Sequence, residues 1–227
     1  MDEREDLYGT RENHKALLEI MKDIHNFLEE QNIPYSLGYG TLIGAVRHKG
    51  FIPWDDDIDI LMSREAVNKF LQVCDKLKGY TIKRDLWIYR IRKITENPVE
   101  GYDPTVDIFV IDNVPDKKSA RKRKAFALML LQGMLREKPD YSNAKYSRGY
   151  KLCLGITHFL GKFLTKKYKW RRYDKISTRG NKKKTAFQAC YNSSFRSLGL
   201  YFTNGFLDET VLVPFESEQF RIVKNYH

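Results

Sequence analysis

The segment that restricts this chain most is Asp55-Asp56-Asp57-Ile58-Asp59-Ile60-Leu61-Met62. Acidic and apolar residues alternate in its centre, which predicts a β-strand with Asp57 and Asp59 on one face and aliphatics on the other. A solvated acidic loop accounts for Asp55 and Asp56, but not for carboxylates set inside the run Ile58, Ile60, Leu61 and Met62. Ionised groups so close to buried aliphatics need a partner. The fold must therefore bury one face of this strand and supply positive charge to the other. An EF-hand loop also begins D-x-D-x-D, but Ile60 stands where its glycine belongs and Ala66 where its glutamate belongs, which excludes calcium binding of that type.

The surrounding pattern predicts a mixed α/β (α+β) architecture. Leu17, Leu18, Met21, Ile24, His25 and Leu28 recur at helical spacing over residues 11–30, with His25 a packed histidine on the apolar face. Residues 34–39 read as a short strand, followed by a helix capped by Thr41 and running to about His48. Phe51-Ile52-Pro53-Trp54 forms a rigid aromatic connector. Ser63 caps a further helix whose buried stripe is Val67, Phe70, Leu71, Cys74 and Leu77. Strands are predicted over 80–83, 87–94 and 105–112, the last carrying Asp107. Beyond Pro115 the pattern becomes helical and basic, over 119–138, 150–167 and 168–178, with short strands at 211–214 and 220–223. The expected division is a lobe of residues 1–115 and a basic helical lobe of 116–227, whose C-terminal segment returns to the core.

Charge sharpens that division. The chain has 40 Lys and Arg against 29 Asp and Glu, a net charge of +11. From Asp116 onward there are 25 basic and 8 acidic residues, a balance of +17, so the first part is net acidic. Such asymmetry points to a polyanionic partner for the second part: nucleic acid, an anionic membrane surface or a phosphate-rich polymer. Between Arg148 and Arg172 there is no acid at all, and the cations interleave with Phe, Leu, Trp and Tyr. That arrangement favours an anionic leaflet over nucleic acid. Three widely spaced cysteines exclude a disulfide scaffold and a CxxC metal site. With no signal-like N-terminus, the expected location is cytoplasmic, peripheral at the inner face of the membrane.

Three features converge on chemistry. Gly40-Thr41 ends a strand and opens a helix, where unpaired N–H groups and the helix dipole suit a phosphate. Asp57 and Asp59 share one strand, and Asp107 comes from another. Three such carboxylates repel one another unless a divalent cation lies between them, and hard oxygen donors without Cys or paired His select Mg2+ or Mn2+. His48 lies seven residues beyond Thr41 on nearly the same helix face and Arg47 is long; each is a candidate diphosphate ligand. The structural alternative for Arg47 is an ion pair within Asp55–Asp59.

The run from Gly40 to Ile60 resembles the signature of the LicD family, which includes bacterial phosphocholine transferases and is related to the fukutin group. Val106-Asp107-Ile108-Phe109 resembles its second acidic strand, and Pro214-Phe215-Glu216-Ser217 a later motif. The resemblance implies the nucleotidyltransferase fold shared with DNA polymerase beta. It also implies Asp57, Asp59 and Asp107 as catalytic metal ligands and Gly40-Thr41 as a phosphate site. The activity it implies is transfer of a phosphate-linked substituent from a CDP-activated donor to a glycan or teichoic-acid-type hydroxyl. Two alternatives use the same residues: a nucleotidyltransferase acting on RNA or a small acceptor with pyrophosphate release, and a non-catalytic nucleotide- or phospholipid-binding module.

Overall fold

The computed structural model describes residues 8–96, 98–139, 141–142, 147–194 and 197–226. The chain forms two compact units, one of Met1–Ile111 with Gly205–His227 and one of Asp112–Asn204. The architecture is mixed α and β, as the pattern predicts.

In the first unit, helix α1 (Arg11–Glu30) leads into strand β1 (Ser36–Leu37), helix α2 (Tyr39–His48), strand β2 (Ile58–Ser63) and helix α3 (Arg64–Val73). Strands β3 (Tyr80–Asp85), β4 (Ile88–Lys93) and β5 (Val106–Val114) follow. The sheet order is β1-β2-β5-β4-β3, with β2 and β5 parallel and adjacent at its centre. Their other neighbours, β1 and β4, pair antiparallel. The register sets Asp59 opposite Asp107, flanked by the pairs Ile58–Val106 and Ile60–Ile108.

Alternation then divides the two strands by face. Ile58, Ile60, Met62, Val106, Ile108 and Val110 join Leu17, Met21, Ile24 and Leu28 of α1 and Val67 and Phe70 of α3 in one apolar core. Each fully buried side chain there contributes about 1.5–3 kcal/mol. Asp59, Leu61, Asp107 and Phe109 occupy the opposite face. Ser63 caps α3 as expected, accepting a hydrogen bond from the Ala66 N–H at 3.1 Å.

The hairpin of β8 (Thr210–Phe215) and β9 (Glu218–Val223) closes this unit, with Phe215, Phe220 and Ile222 in the same core. Arg221 reaches back to Glu29 of α1 with a two-pronged hydrogen bond at 2.5 and 2.6 Å. The β9 N–H of Val223 donates to the Ser36 hydroxyl at 2.9 Å.

The second unit holds helices α4 (Lys118–Leu135), α5 (Arg148–Gly161) and α6 (Lys166–Ser177) and strands β6 (Phe187–Cys190) and β7 (Phe202–Thr203), which pair antiparallel. The sequence pattern did not predict these two strands. The break between α5 and α6 falls at 162–165 rather than at 167–168, because Thr165 caps α6 by accepting from the Tyr168 N–H. Close approach of α4 and α5 requires small residues. A Cβ on Gly133 would lie 2.1 Å from the Thr157 hydroxyl, and one on Gly161 would lie 2.5 Å from the Met134 carbonyl. Gln132, buried, donates to Tyr173 at 3.0 Å and to the Ser193 carbonyl at 2.8 Å.

Candidate active site

Asp57, Asp59 and Asp107 meet on the face of the β2–β5 pair opposite the apolar core. Each offers a carboxylate oxygen within 4.8 Å of the others. Strand β2 begins at Ile58, whose N–H donates to the Thr105 carbonyl at 3.1 Å, so Asp57 lies just before the strand and not within it as the alternation predicts. The parallel register brings Asp59 and Asp107 together directly.

Burial raises the Asp59 carboxyl to about 8, and the neighbouring Asp57 and Asp107 add to the effect. Asp57 is pushed up to about 6, again by burial first and then by Asp55 and Asp107. Asp107 is also raised by burial, although Arg90 opposes the shift. The three groups together therefore resist full ionisation, and the missing element is positive charge.

Part of that charge comes from a residue the sequence pattern passed over. Arg90 stands opposite Asp107 in the β4–β5 register. Its Nε donates to both carboxylate oxygens at 3.0 and 3.2 Å, and its Nη1 donates to Asp85 at 2.6 Å. The signal was present as an arginine alternating with aliphatics on a strand, but its partner depends on a pairing that sequence alone does not fix.

The segment expected to bind phosphate is built differently from the expectation. Gly38, not Thr41, precedes the first residue of α2, and Tyr39 opens the helix at φ 44°. That left-handed backbone costs on the order of 1 kcal/mol for a tyrosine and sets its ring 4.7 Å from that of Phe109, edge to face. The N–H groups of the first turn, which include Gly40 and Thr41, have no carbonyl within the helix to bond. Thr41 is buried, and its hydroxyl accepts the Asp59 N–H at 2.9 Å, tying the helix start to the acidic strand. A Cβ on Gly40 would lie 2.8 Å from Asp55 Oδ2, so a larger residue there would displace the Asp55 carboxylate from the helix start.

Arg47 and His48 lie at the other end of α2, about 10 Å along the axis from Thr41 at 1.5 Å per residue. Both are exposed, and among the described residues Arg47 makes no ion pair with Asp55, Asp57 or Asp59.

The loop carrying Asp55–Asp57 is held by α1. Thr10 donates to the Pro53 carbonyl at 2.7 Å and Asn13 to the Asp56 carbonyl at 3.0 Å, while His14 Nε2 lies 2.7 Å from the Asp55 carbonyl. The His14 ring stacks on Phe51 at 4.2 Å. From the other side Glu216, at the β8–β9 turn, accepts the Phe51 N–H at 3.1 Å and donates its own N–H to the Lys49 carbonyl at 2.7 Å. His25, by contrast, is a packed histidine 2.8 Å from the Tyr35 hydroxyl, and burial lowers its pKa.

These residues fit a hard divalent cation. Three carboxylates converge, burial raises each of them and neighbouring carboxylates add to the effect at Asp57 and Asp59, and among the described residues no Cys or His joins the cluster.

Residues 32–99 match the domain described as LicD/FKTN/FKRP, nucleotidyltransferase domain. Along most of its length the chain is similar to the lipopolysaccharide cholinephosphotransferase LicD of Haemophilus influenzae. Identity is 29% over 248 residues, covering 96% of this chain and 86% of that protein. A Rickettsia typhi protein of uncharacterised function is 46% identical over 72 residues, 31% of this chain and 23% of that one. The human ribitol 5-phosphate transferase FKRP is 37% identical over 65 residues, 29% of this chain and 12% of that protein. The last two likenesses are confined to a small part of each relative.

Proposed function

The chain belongs to the LicD/fukutin family and is a transferase, and on that premise we propose that it moves a phosphocholine-like substituent from a CDP-activated donor to a hydroxyl of a cell-surface glycan or teichoic-acid-type acceptor. The observation that carries this reading is the convergence of Asp57, Asp59 and Asp107 beside the N-terminus of α2. Asp57 and Asp59 would hold Mg2+ or Mn2+, with Asp107 completing the set. When bound, the cation neutralises the donor diphosphate and the charge that develops on the leaving CMP.

The remaining work falls to the chain's own groups. The backbone N–H groups at Gly40 and Thr41 orient the donor phosphate, and the Thr41–Asp59 hydrogen bond fixes their distance from the carboxylates. Arg90 keeps Asp107 in one orientation. Asp107 takes the proton of the acceptor hydroxyl as its oxygen attacks the substituted phosphorus. The bond from phosphorus to the CMP oxygen breaks, and the electron pair leaves with CMP. Positioning and charge neutralisation suffice for such a transfer, so no covalent nucleophile is needed. The edge-to-face pair Tyr39–Phe109, on the same face as Asp107, offers aromatic surface suited to a quaternary ammonium group.

The test is incubation with CDP-choline, CDP-ribitol, CDP-glycerol or the four nucleoside triphosphates, with and without Mg2+, in the presence of glycan acceptors. Metal-dependent CMP release from one CDP donor is the expected result. Pyrophosphate release from a nucleoside triphosphate would replace this reading with nucleotidyl transfer, and binding without turnover would replace it with a non-catalytic module.

A further inference from the structure

Helix α5 in the second unit is amphipathic with the apolar side outward. At 100° per residue, Leu152, Ile156, Phe159, Leu160 and Phe163 (the last just past the helix end) share an arc of about 100°. All five are exposed, Leu152 at 67% and Phe163 at 74% of their full surface. The opposite side, with Leu154, Thr157 and Gly161, packs closely on α4. The apolar stripe is thus a second face, left over after the helix has made its contacts within the unit. Phe159 and Phe163 lie edge to face with their rings 5.3 Å apart, which makes the end of the stripe a continuous aromatic surface. An exposed stripe of this size is unusual in a soluble monomer and marks a contact surface.

The charges around it select the partner. Arg148, Lys151 and Lys162 follow one flank of the stripe, Lys167 lies just beyond, and no Asp or Glu occurs between Arg148 and Arg172. Two other cations of this region are already committed. Lys166 pairs with Glu137 at 2.8 Å, and Lys169 donates to the carbonyls of Met134 and Gly161 at 2.9 and 3.0 Å. They are therefore poor sites at which to probe a surface contact. The helix spans about 21 Å at 1.5 Å per residue, and among the described residues no helix is long and apolar enough to cross a membrane. We infer that α5 lies in the plane of an anionic lipid bilayer surface, with Leu152, Ile156, Phe159 and Phe163 among the acyl chains and Arg148, Lys151, Lys162 and Lys167 among the headgroups. A protein partner would need acidic groups around an apolar groove. A bilayer offers both features without a matching shape.

The inference rests on the second unit alone and is tested apart from the transferase reading. The full chain is mixed with vesicles of phosphatidylcholine alone or of phosphatidylcholine with phosphatidylglycerol, then sedimented. Binding to the anionic vesicles that weakens with salt is expected. Phe159→Ser with Phe163→Ser should weaken it at least about ten-fold, and Lys151→Gln with Lys162→Gln several-fold. Circular dichroism melts establish that each variant is folded, and CMP release measured without vesicles should equal that of wild type. Phe163→Trp, which keeps the aromatic surface, should be quenched by brominated lipids beyond the wild-type signal. Unchanged vesicle binding by the doubly substituted Phe variant would overturn the inference. So would a solution dimer that the same substitutions dissociate, or tighter binding to RNA than to anionic vesicles at physiological salt.

Discussion

Asp59→Asn is expected to stabilise the metal-free protein while abolishing turnover. Burial, aided by Asp57 and Asp107, raises the Asp59 carboxyl from 3.8 to about 8. A group whose folded pKa is raised holds its proton more tightly in the folded chain than in the unfolded one. Its contribution is therefore fully present below the unfolded value and is lost as pH rises through the folded value. From pH 3.8 to pH 7 that loss is about 4 kcal/mol, at about 1.36 kcal/mol per unit. Asparagine is neutral and of similar size, but its amide still needs partners in a partly buried position, so about half should be recovered. The expected gain is about 2 kcal/mol at pH 7, or roughly 4–8 °C for a chain of this length, vanishing near pH 4. Thermal melts in EDTA across that pH range measure it, beside CMP release in Mg2+. Added Mg2+ should raise the wild-type midpoint and leave the variant unmoved. A variant that melts below wild type at pH 7 in EDTA, or a gap that does not widen with pH, would refute the reasoning and make Asp59 a structural residue.

Asp107→Asn should remove turnover while sparing much of the donor affinity, read by calorimetry beside CMP release; activity within a few-fold of wild type would move the catalytic role elsewhere. Arg90→Gln should destabilise by roughly 1–3 kcal/mol, less than the roughly 3–5 kcal/mol of a fully buried pair because the arginine is partly exposed. It should also cut turnover at least about ten-fold, and Arg90→Lys should not restore it, since a single ammonium cannot reproduce the planar fork that donates from Nε to Asp107 and from Nη1 to Asp85. Gly44→Ala should cost roughly 2–3 kcal/mol in a denaturant titration, because its Cβ would meet the Gly50 carbonyl at 2.4 Å and that neighbour is backbone.

The acidic cluster was legible in the sequence because alternation fixes faces: Asp59 among Ile58, Ile60 and Leu61 has only one side to occupy. The same rule put Asp107 on an equivalent face of its own strand. Alternation does not specify which strands pair or in what register, and so it could not assign Arg90 to Asp107. Nor could it foresee that Thr10, Asn13 and His14 reach backbone carbonyls of a loop about 40 residues away. Thr41 was read as a cap because capping is the commonest use of a threonine at a helix start. The Gly38-Tyr39 turn starts the helix three residues earlier and frees that hydroxyl for the Asp59 N–H. Strands β6 and β7 are four and two residues long, too short for a period-2 pattern to emerge from a lysine-rich context.

The pairing of the β8–β9 hairpin with elements near the other end of the chain has a consequence for biosynthesis. Phe51, Ser36 and Glu29 receive partners from Glu216, Val223 and Arg221, which emerge from the ribosome at least 165 residues later. The segment Asp112–Asn204 is contiguous and can complete its own packing while those partners are still being made. The acidic loop, braced through Phe51, must wait. A nascent chain can therefore form its basic helices before its acidic loop is braced, and joining segments of such large sequence separation is an intrinsically slow event.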